Sequence, residues 1–272
     1  MELESLELEA KMTGAVGNFN AHMVAFPDAD WMELEEEFLV GLGVVPSLVS
    51  TQIVSAESYS RFFASVQRAN LILLDLNQDI WRYISDGILI QKREEGQVGS
   101  STMPQKVNPI DFENSEGNLG LANALLSFFI QKLPISRLQR DLSDSTVKRN
   151  FGVAFGYCQL AYLSLQKGLG KLTVNEAKLS EELDGHWEVL AEALQVSLRM
   201  NGDHEGYEKL KDFSQGKQLT KKDVAEFIQS LELADEDKKK LLELSPQTYL
   251  GLAPELARQV VTRINQYLQG AK

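Results

Sequence analysis

Cysteine, basic charge and long apolar runs are all scarce in this chain of 272 residues. The one cysteine, Cys158, excludes an intrachain disulfide and a zinc site built from a cysteine cluster. The 39 acidic residues outnumber the 27 basic ones, which gives a formal net charge of −12. A broadly acidic chain binds duplex nucleic acid poorly, because phosphates are neutralised by a basic face. No nucleic-acid partner is therefore expected, and an anionic ligand needs a local cationic pocket.

The sequence contains no segment typical of a membrane span or an export signal. The longest uncharged run, residues 38–56, is interrupted by glycine, proline and polar residues, whereas a membrane helix needs about 20 consecutive apolar residues. The first twelve residues are acidic and lack the basic and apolar regions of a signal peptide. We therefore expect a cytoplasmic protein with no membrane partner.

Apolar residues recur at helical spacing along nearly the whole chain, and no run of strict alternation is long enough to predict a sheet. The pattern predicts a helix over 31–42 capped by Asp30, and long helices over 55–92, 111–132 and 144–169. Helices of such length are typical of a bundle. Shorter amphipathic helices are predicted over 176–200, 204–215, 220–231, 234–244 and 252–268.

The change from long to short helices predicts a domain boundary near residue 170. Residues 1–170 are expected to form a central long-helix bundle, interrupted by a polar loop at 94–109. Residues 171–272 are expected to form a smaller C-terminal helical domain. The predicted fold class is therefore all-α.

The polar loop contains the segment GSSTMPQKVNP, residues 99–109, which leads into the next helix. It offers hydroxyls, an ammonium, amides and backbone N–H groups at a helix start, a combination that suits a carboxylate. A serine that acts as a base needs positive charge nearby to stabilise its alkoxide, and Lys106 lies in the same segment. On residue types alone, an ordinary surface loop with a serine/threonine turn is the alternative.

This segment resembles the signature GSSxMPxKxNP of the fumarase/aspartase superfamily, and all eight fixed positions match. Four more segments are similar to the bacterial adenylosuccinate lyase family and extend the resemblance over essentially the whole chain: TGAVGNFNAH, STQI, NPIDFENSEGNLGLANALL and LPISRLQRDLSDSTVKRN. The resemblance implies the superfamily's long-helix bundle and a β-elimination in purine biosynthesis. That reaction releases fumarate from adenylosuccinate to give AMP, and from the succinyl-carboxamide ribotide to give the carboxamide ribotide. Neither a cofactor nor a metal ion is expected.

The resemblance also implies roles for single residues. The family's catalytic base falls on Ser100, with Ser101 beside it as the alternative. The lysine and the asparagine that hold the succinyl carboxylate fall on Lys106 and Asn108. Glu113 matches the glutamate that orients the acid histidine, although a first-turn glutamate favoured by the helix dipole is the alternative.

Further substrate contacts are implied in the same loop and in two earlier ones. Met103 belongs to the signature segment, and Gln52 matches a substrate-binding glutamine of the family. Asn18 and Asn20 lie in TGAVGNFNAH, which is close to the substrate in the family. His22 closes that segment and is expected to be structural.

The phosphate of the nucleotide is assigned by the resemblance to Arg140, Ser145 and Arg149. Their spacing of five and four residues spans a turn into a helix start, which suits a phosphate monoester. Arg137 and Lys148 are interpreted as solvated charges. Fumarase and argininosuccinate lyase are the alternatives within the superfamily, and this cluster disfavours both, since their substrates carry no phosphate. A non-catalytic helical oligomerisation scaffold is a third alternative, which the intact signature segment disfavours.

Two elements of the family are missing from this sequence. The general-acid histidine lies in a THGQP-like segment, and an Arg-Tyr element completes the phosphate site; the chain contains neither in the expected place. We therefore expect a C-terminal fragment with negligible lyase activity on its own, because removing a general acid costs about 10²–10⁴-fold. Family active sites combine several subunits, so a homotetramer held by the long helices is expected. Residues 94–107 are expected to act as a mobile lid.

Overall fold

A computed structural model describes residues 3–92, 108–202, 206–214, 216 and 218–270. Ser100, Ser101, Met103 and Lys106 lie outside these described residues, as does the lid expected at 94–107. The chain divides into two compact units, Met1–Val174 and Asn175–Lys272. This division falls four residues after the boundary predicted from the sequence.

Three long helices form the core of the first unit: α3 (Glu57–Ser85), α4 (Ile110–Lys132) and α6 (Phe151–Leu169). Helix α4 packs along both of the others. The core between them contains Phe63, Phe129 and other apolar residues that are almost fully buried. Because these residues recur every three to four positions, each helix presents one apolar stripe to its neighbours.

Shorter elements precede and connect these helices. A 3₁₀ turn at Leu3–Ser5 is followed by β1 (Glu9–Ala10), α1 (Asn20–Ala25), α2 (Trp31–Gly41), β2 (Val45–Pro46), β3 (Leu89–Gln91), α5 (Ser143–Lys148) and β4 (Leu172–Val174). Strands β1 and β2 pair in parallel, and β3 and β4 pair antiparallel. The described residues therefore contain only strands of two or three residues, and the all-α class is confirmed.

Two of the predicted helices, 31–42 and 111–132, match the observed bounds to within one residue. Helix α2 is capped by Asp30, whose side chain accepts a hydrogen bond from the backbone N–H of Glu33 at 3.1 Å. Helix α4 ends at Lys132, just before Pro134, which cannot continue a helix.

Two others were predicted too long. Helix α3 ends at Ser85, because Gly87 adopts φ +75° and the following residues pair with β4 instead. The single helix predicted over 144–169 is two helices. The side chain of Asn150 donates to Thr146 O at 3.0 Å, and Asn150 then stands at the N-terminus of α6. Such local side-chain bonds compete with the backbone hydrogen bonds of a continuing helix.

The second unit is built from short amphipathic helices around one apolar cluster, which includes Leu194, Leu198 and Ile228. The helix predicted over 176–200 is interrupted at Gly185 and His186. The elements are α7 (Glu176–Asp184), a 3₁₀ helix (Trp187–Leu190), α8 (Ala191–Met200), α9 (Gly206–Ser214), α10 (Lys221–Ser230), α11 (Asp235–Leu242) and α12 (Ala253–Gly270). Among the helices described in both units, none is long and apolar enough to cross a bilayer.

Candidate active site

The loop before α1 and the loop before α3, which carry the predicted substrate contacts, are joined by polar contacts. Thr13 is 1% exposed, and its Oγ1 lies 2.9 Å from Ser50 Oγ. Lys11 Nζ donates to Gly14 O at 2.6 Å in the first loop and to Thr51 O at 2.7 Å in the second. One ammonium therefore links the two loops.

Helix α2 contacts the chain beside Lys11 through Glu35. The side chain of Glu35 is almost fully buried, and its Oε1 accepts a hydrogen bond from the backbone N–H of Met12 at 2.5 Å. Burial lowers the pKa of Lys11, and the negative charge of Glu35 acts in the opposite direction. Glu35 therefore provides the local anion that partly compensates for burying the ammonium.

Gly17 makes the closest approach between the two loops. It has φ +80°, and a Cβ at this position would lie 2.1 Å from Ser50 O, so only glycine fits. Asn18 and Asn20 follow directly and are exposed, as is Gln52. The structure thus brings the segments that carry these three predicted residues together.

A cavity of about 360 Å³ lies beside the second of these loops, and its lining residues do not include Asn18, Asn20 or Gln52. One wall is formed by residues between 49 and 56, and the other by residues between 133 and 138. Leu138, in the second wall, is 96% exposed and adopts φ +51°. A left-handed backbone is uncommon for a leucine, and strained residues of this kind cluster at functional sites.

The predicted phosphate segment continues from this wall into α5. Arg140 Nη2 lies 3.4 Å from Asp144 Oδ1, and Lys148 Nζ lies 3.0 Å from Asp144 Oδ2. Burial raises the pKa of Asp144, but its hydrogen bonds and charge interactions with Lys148 and Arg140 outweigh burial, so that the pKa lies below its usual value. Lys148, expected to be a solvated charge, instead pairs with this buried carboxylate.

The three residues assigned to the phosphate differ in what else they contact. Arg140 is half-buried, and its Nε has no hydrogen-bond partner among the described residues. Ser145 lies half-buried in the first turn of α5, and Arg149 is exposed directly after that helix. Within the described part of the chain, no carboxylate lies within ion-pair distance of Arg149. Arg140 Nε and the guanidinium of Arg149 therefore have no acceptor among the described residues.

Glu113 and Asn108 lie near the start of α4. Glu113 is exposed in the first turn, and its Oε1 accepts a hydrogen bond from Trp81 Nε1 on α3 at 3.1 Å. Asn108 is half-buried, two residues before the helix begins. The side chain of Glu113 is therefore held in place by the indole of Trp81.

Glu113 and Asn108 lie at one end of α4, and the cavity next to the Arg140 segment lies at the other. Glu113 is in its first turn, and Leu133 of the cavity wall follows its last residue. Twenty residues at 1.5 Å per residue separate them by about 30 Å. One copy of the chain therefore does not place the start of α4 beside the Arg140 segment.

Sequence reasoning did not single out Lys11 or Trp81 as site residues. Lys11 gave a signal, because it is the only base among the first 40 residues. Trp81 gave none, since its partner lies 32 residues away in the chain. The expectation for His22 agrees with its contacts: its ring packs edge-on against Phe19 and Trp31, with centroids 5.5 and 4.8 Å away.

Comparisons with known proteins agree with the motifs. A lyase family model matches residues 1–123, and the model for the adenylosuccinate lyase C-terminal region matches residues 136–250. Adenylosuccinate lyase of Haemophilus influenzae is 49% identical over 259 residues, which are 95% of this chain and 57% of that protein. Adenylosuccinate lyase of Escherichia coli K12 is 48% identical over 252 residues, 93% of this chain and 55% of that protein.

A solved structure also matches the fold. The 3-carboxy-cis,cis-muconate lactonizing enzyme of Pseudomonas putida superposes with a TM-score of 0.71 at 22% identity, over 96% of this chain and 58% of that one. The chain thus spans somewhat more than half the length of the relatives that it matches. Two matched family models, and identity near one half across almost the whole chain, show that it belongs to the adenylosuccinate lyase family.

Proposed function

We propose that this chain forms part of an adenylosuccinate lyase that eliminates fumarate from adenylosuccinate and from the succinyl-carboxamide ribotide. The observation that carries the proposal is the high identity to adenylosuccinate lyases over nearly all of the chain. The joined loops beside the 360 Å³ cavity support it, because they bring predicted substrate-binding segments together.

In the proposed reaction, Ser100, or Ser101 in its place, removes a proton from the carbon next to a carboxylate of the succinyl group. Lys106 and Asn108 hold that carboxylate. The carbanion is stabilised as an aci-carboxylate dianion, which requires cationic and N–H donors already in position. The carbon–nitrogen bond then breaks, the departing nitrogen takes a proton from a general acid, and fumarate leaves.

The nucleotide half of the substrate is proposed to bind at the Arg140 segment. Arg140 and Arg149 bind the phosphate, with the hydroxyl of Ser145 as a further donor, since guanidinium groups match phosphate oxygens in geometry and charge. These two guanidinium groups supply the local positive charge that an anionic ligand needs in a chain of net charge −12.

The proposed substrate is too short to span about 30 Å along α4. We therefore propose that the start of α4 in one copy meets the Arg140 segment of another, within a homotetramer. The exposed apolar side chains of the three long helices favour this, because unpaired apolar faces of this extent mark interfaces. They include Leu71, Ile72, Leu121, Phe128 and Leu163, each between 51 and 71% exposed. Sedimentation that gave a clean monomer would count against it.

Fumarate release tests the proposed activity. The chain alone is expected to release almost none, because no general acid is recognised in it. Mixing it with the part of the H. influenzae relative that it does not match is expected to restore turnover, and Ser100→Ala and Ser101→Ala in that mixture identify the base. Robust turnover by the chain alone would contradict the missing acid.

Thermal stabilisation separates the members of the superfamily. AMP is expected to raise the melting temperature of the mixture, and arginine is not. Stabilisation by arginine alone would favour argininosuccinate lyase instead, and no fumarate release with any partner would favour the scaffold.

A further inference from the structure

One residue, Lys171, contacts the chain on both sides of residues 93–110, which contain the signature segment 99–109. At the N-terminal end, the backbone N–H of Lys92 donates to Lys171 O at 2.8 Å, continuing the pairing of β3 with β4. At the C-terminal end, Lys171 Nζ donates to Asp111 Oδ2 at 2.8 Å, in the first turn of α4. The backbone carbonyl and the side-chain ammonium of Lys171 therefore link Lys92 to Asp111.

The surroundings of this contact are tightly packed. Lys171 and Asp111 are each 7% exposed. A Cβ on Gly168 would lie 2.8 Å from the ring of Phe112, so the end of α6 lies directly against the start of α4. A second lysine, Lys167, approaches the same carboxylate, with Nζ 3.7 Å from Asp111 Oδ1, but its side chain is 57% exposed.

Burial explains why the Lys171 contact fixes a position. In a medium of low dielectric, two charges remain together only in good geometry, because a shift leaves each of them desolvated without its partner. A buried ion pair is therefore weak evidence for stability and better evidence for one defined arrangement. Here that arrangement sets the distance between Lys92 and Asp111.

We propose that Lys171 is a positioning residue for the elimination reaction, which holds Lys92 and Asp111, on either side of the segment that contains the signature, at a fixed separation. This inference rests on the proposed function, in which that segment carries the base and the ammonium that grips the succinyl group. A reacting group must be held near its productive geometry, and small misplacements cost large factors in rate. Lys171 would contribute by fixing the position of Lys92 relative to Asp111.

Hydrogen exchange tests the structural part on this chain by itself. Lys171→Met keeps the length of the side chain and removes its charge. Lys167→Met removes a charge beside the same carboxylate without touching residue 92, and is the matched control. We expect Lys171→Met to speed exchange at least tenfold in peptides covering 88–92 and 108–113 together, with smaller changes elsewhere in α3 and α6. Lys167→Met is expected to change neither peptide by more than about twofold, and Lys171→Arg to stay near the unsubstituted chain.

If Lys171→Met does not fold, Asp111→Asn provides the same test, because it keeps the shape of the carboxylate and weakens the contact. Faster exchange at only one of the two ends, or a uniform increase across the whole unit, would overturn the proposal, since both describe a residue that acts on stability alone.

Kinetics in the reconstituted mixture tests the functional part. Lys171→Met is expected to lower kcat at least tenfold, equal to about 1.4 kcal/mol of barrier, with KM changed less than threefold and Lys171→Arg restoring most of the rate. Coupled exchange at both ends without a change in kcat would refute the positioning role. If no variant releases fumarate while exchange behaves as expected, the proposed function fails and the tie between the two ends stands.

Discussion

Replacing Gly17 with alanine tests the contact between the loops that carry Asn18 and Gln52. A Cβ at Gly17 would lie 2.1 Å from Ser50 O, whereas Cβ atoms essentially never approach another heavy atom within 3.0 Å. Ser50 must therefore move by at least about 0.9 Å, the difference between these two distances. Gly43 provides a matched control, because it has φ +77° against +80° for Gly17 and no atom within 4 Å of its Cβ position.

The size of the effect follows from the contacts that Ser50 and its neighbour make. Both alanine variants carry the left-handed backbone penalty of about 1–2 kcal/mol, which cancels in the comparison. Moving Ser50 also weakens its contact with Thr13, a neutral hydrogen bond worth about 1 kcal/mol, and the bond from Lys11 to Thr51, worth about 1.5–3 kcal/mol because its donor is charged. We therefore expect Gly17→Ala to lower the stability of this region by about 2–4 kcal/mol more than Gly43→Ala.

Hydrogen exchange of peptides from residues 11–52, followed as a function of urea, measures this difference in the first unit alone. In the mixture that contains the complementary part of a relative, AMP is expected to stabilise Gly43→Ala as it does the unsubstituted chain, and Gly17→Ala much less. Equal stability of the two alanine variants, within about 0.5 kcal/mol, would refute the reasoning, since such changes are ordinary for surface substitutions.

Substitutions at three further residues have expected outcomes. Lys11→Met removes the bonds to Gly14 O and Thr51 O, of which the second joins the two loops. Burial of the ammonium offsets part of what these bonds contribute, so we expect a loss of about 2 kcal/mol in urea unfolding, and a smaller loss for Lys11→Arg, which keeps a donor there. Gly168→Ala places a methyl against the buried ring of Phe112, and we expect a loss of about 1–3 kcal/mol, seen as a lower melting temperature. Burial, reinforced by the interaction with Cys158, raises the pKa of Tyr162 to about 12. The folded chain thus holds this proton more tightly than the unfolded one, so stability is expected to fall as pH rises from about 10 to 12, and unfolding of Tyr162→Phe across that range is expected to show a smaller fall.

Helix bounds could be predicted from the sequence where the signal is local. Asp30 caps α2 by a bond to a residue three positions on, and the pattern before Pro134 gives the end of α4 directly. The end of α3 could not be predicted, because residues 89–91 leave the helix to pair with a strand some 80 residues later. The break after α5 depends on which bond the side chain of Asn150 makes, and an apolar periodicity contains no information on that choice.

The candidate site likewise has some features that the sequence predicts and others that it does not. Motif matches name Glu113 and Arg140, and the predicted length of the helix between them already separates the two by about 30 Å. The link through Lys11 and the tie through Lys171 could not be predicted, because their partners lie 40 and 60 residues away. Such contacts depend on the packing of whole helices and not on any segment alone.

Buried amides between α3 and α4 explain how this packing reaches one defined register. Asn70 Nδ2 donates to Asn123 Oδ1 at 3.0 Å. Seven residues further along α3, Asn77 Nδ2 donates to Ser115 Oγ at 3.0 Å. Asn70 and Asn77 are fully buried, so a slip of one helix by one turn, about 5.4 Å, would break both of these bonds inside the core. An apolar core alone would tolerate such a slip far better, since its contacts are not directional. The same register brings the indole on α3 to Glu113. The polar pairs therefore stabilise one alignment of the bundle, and that alignment positions the start of α4, where the signature segment rejoins the helix.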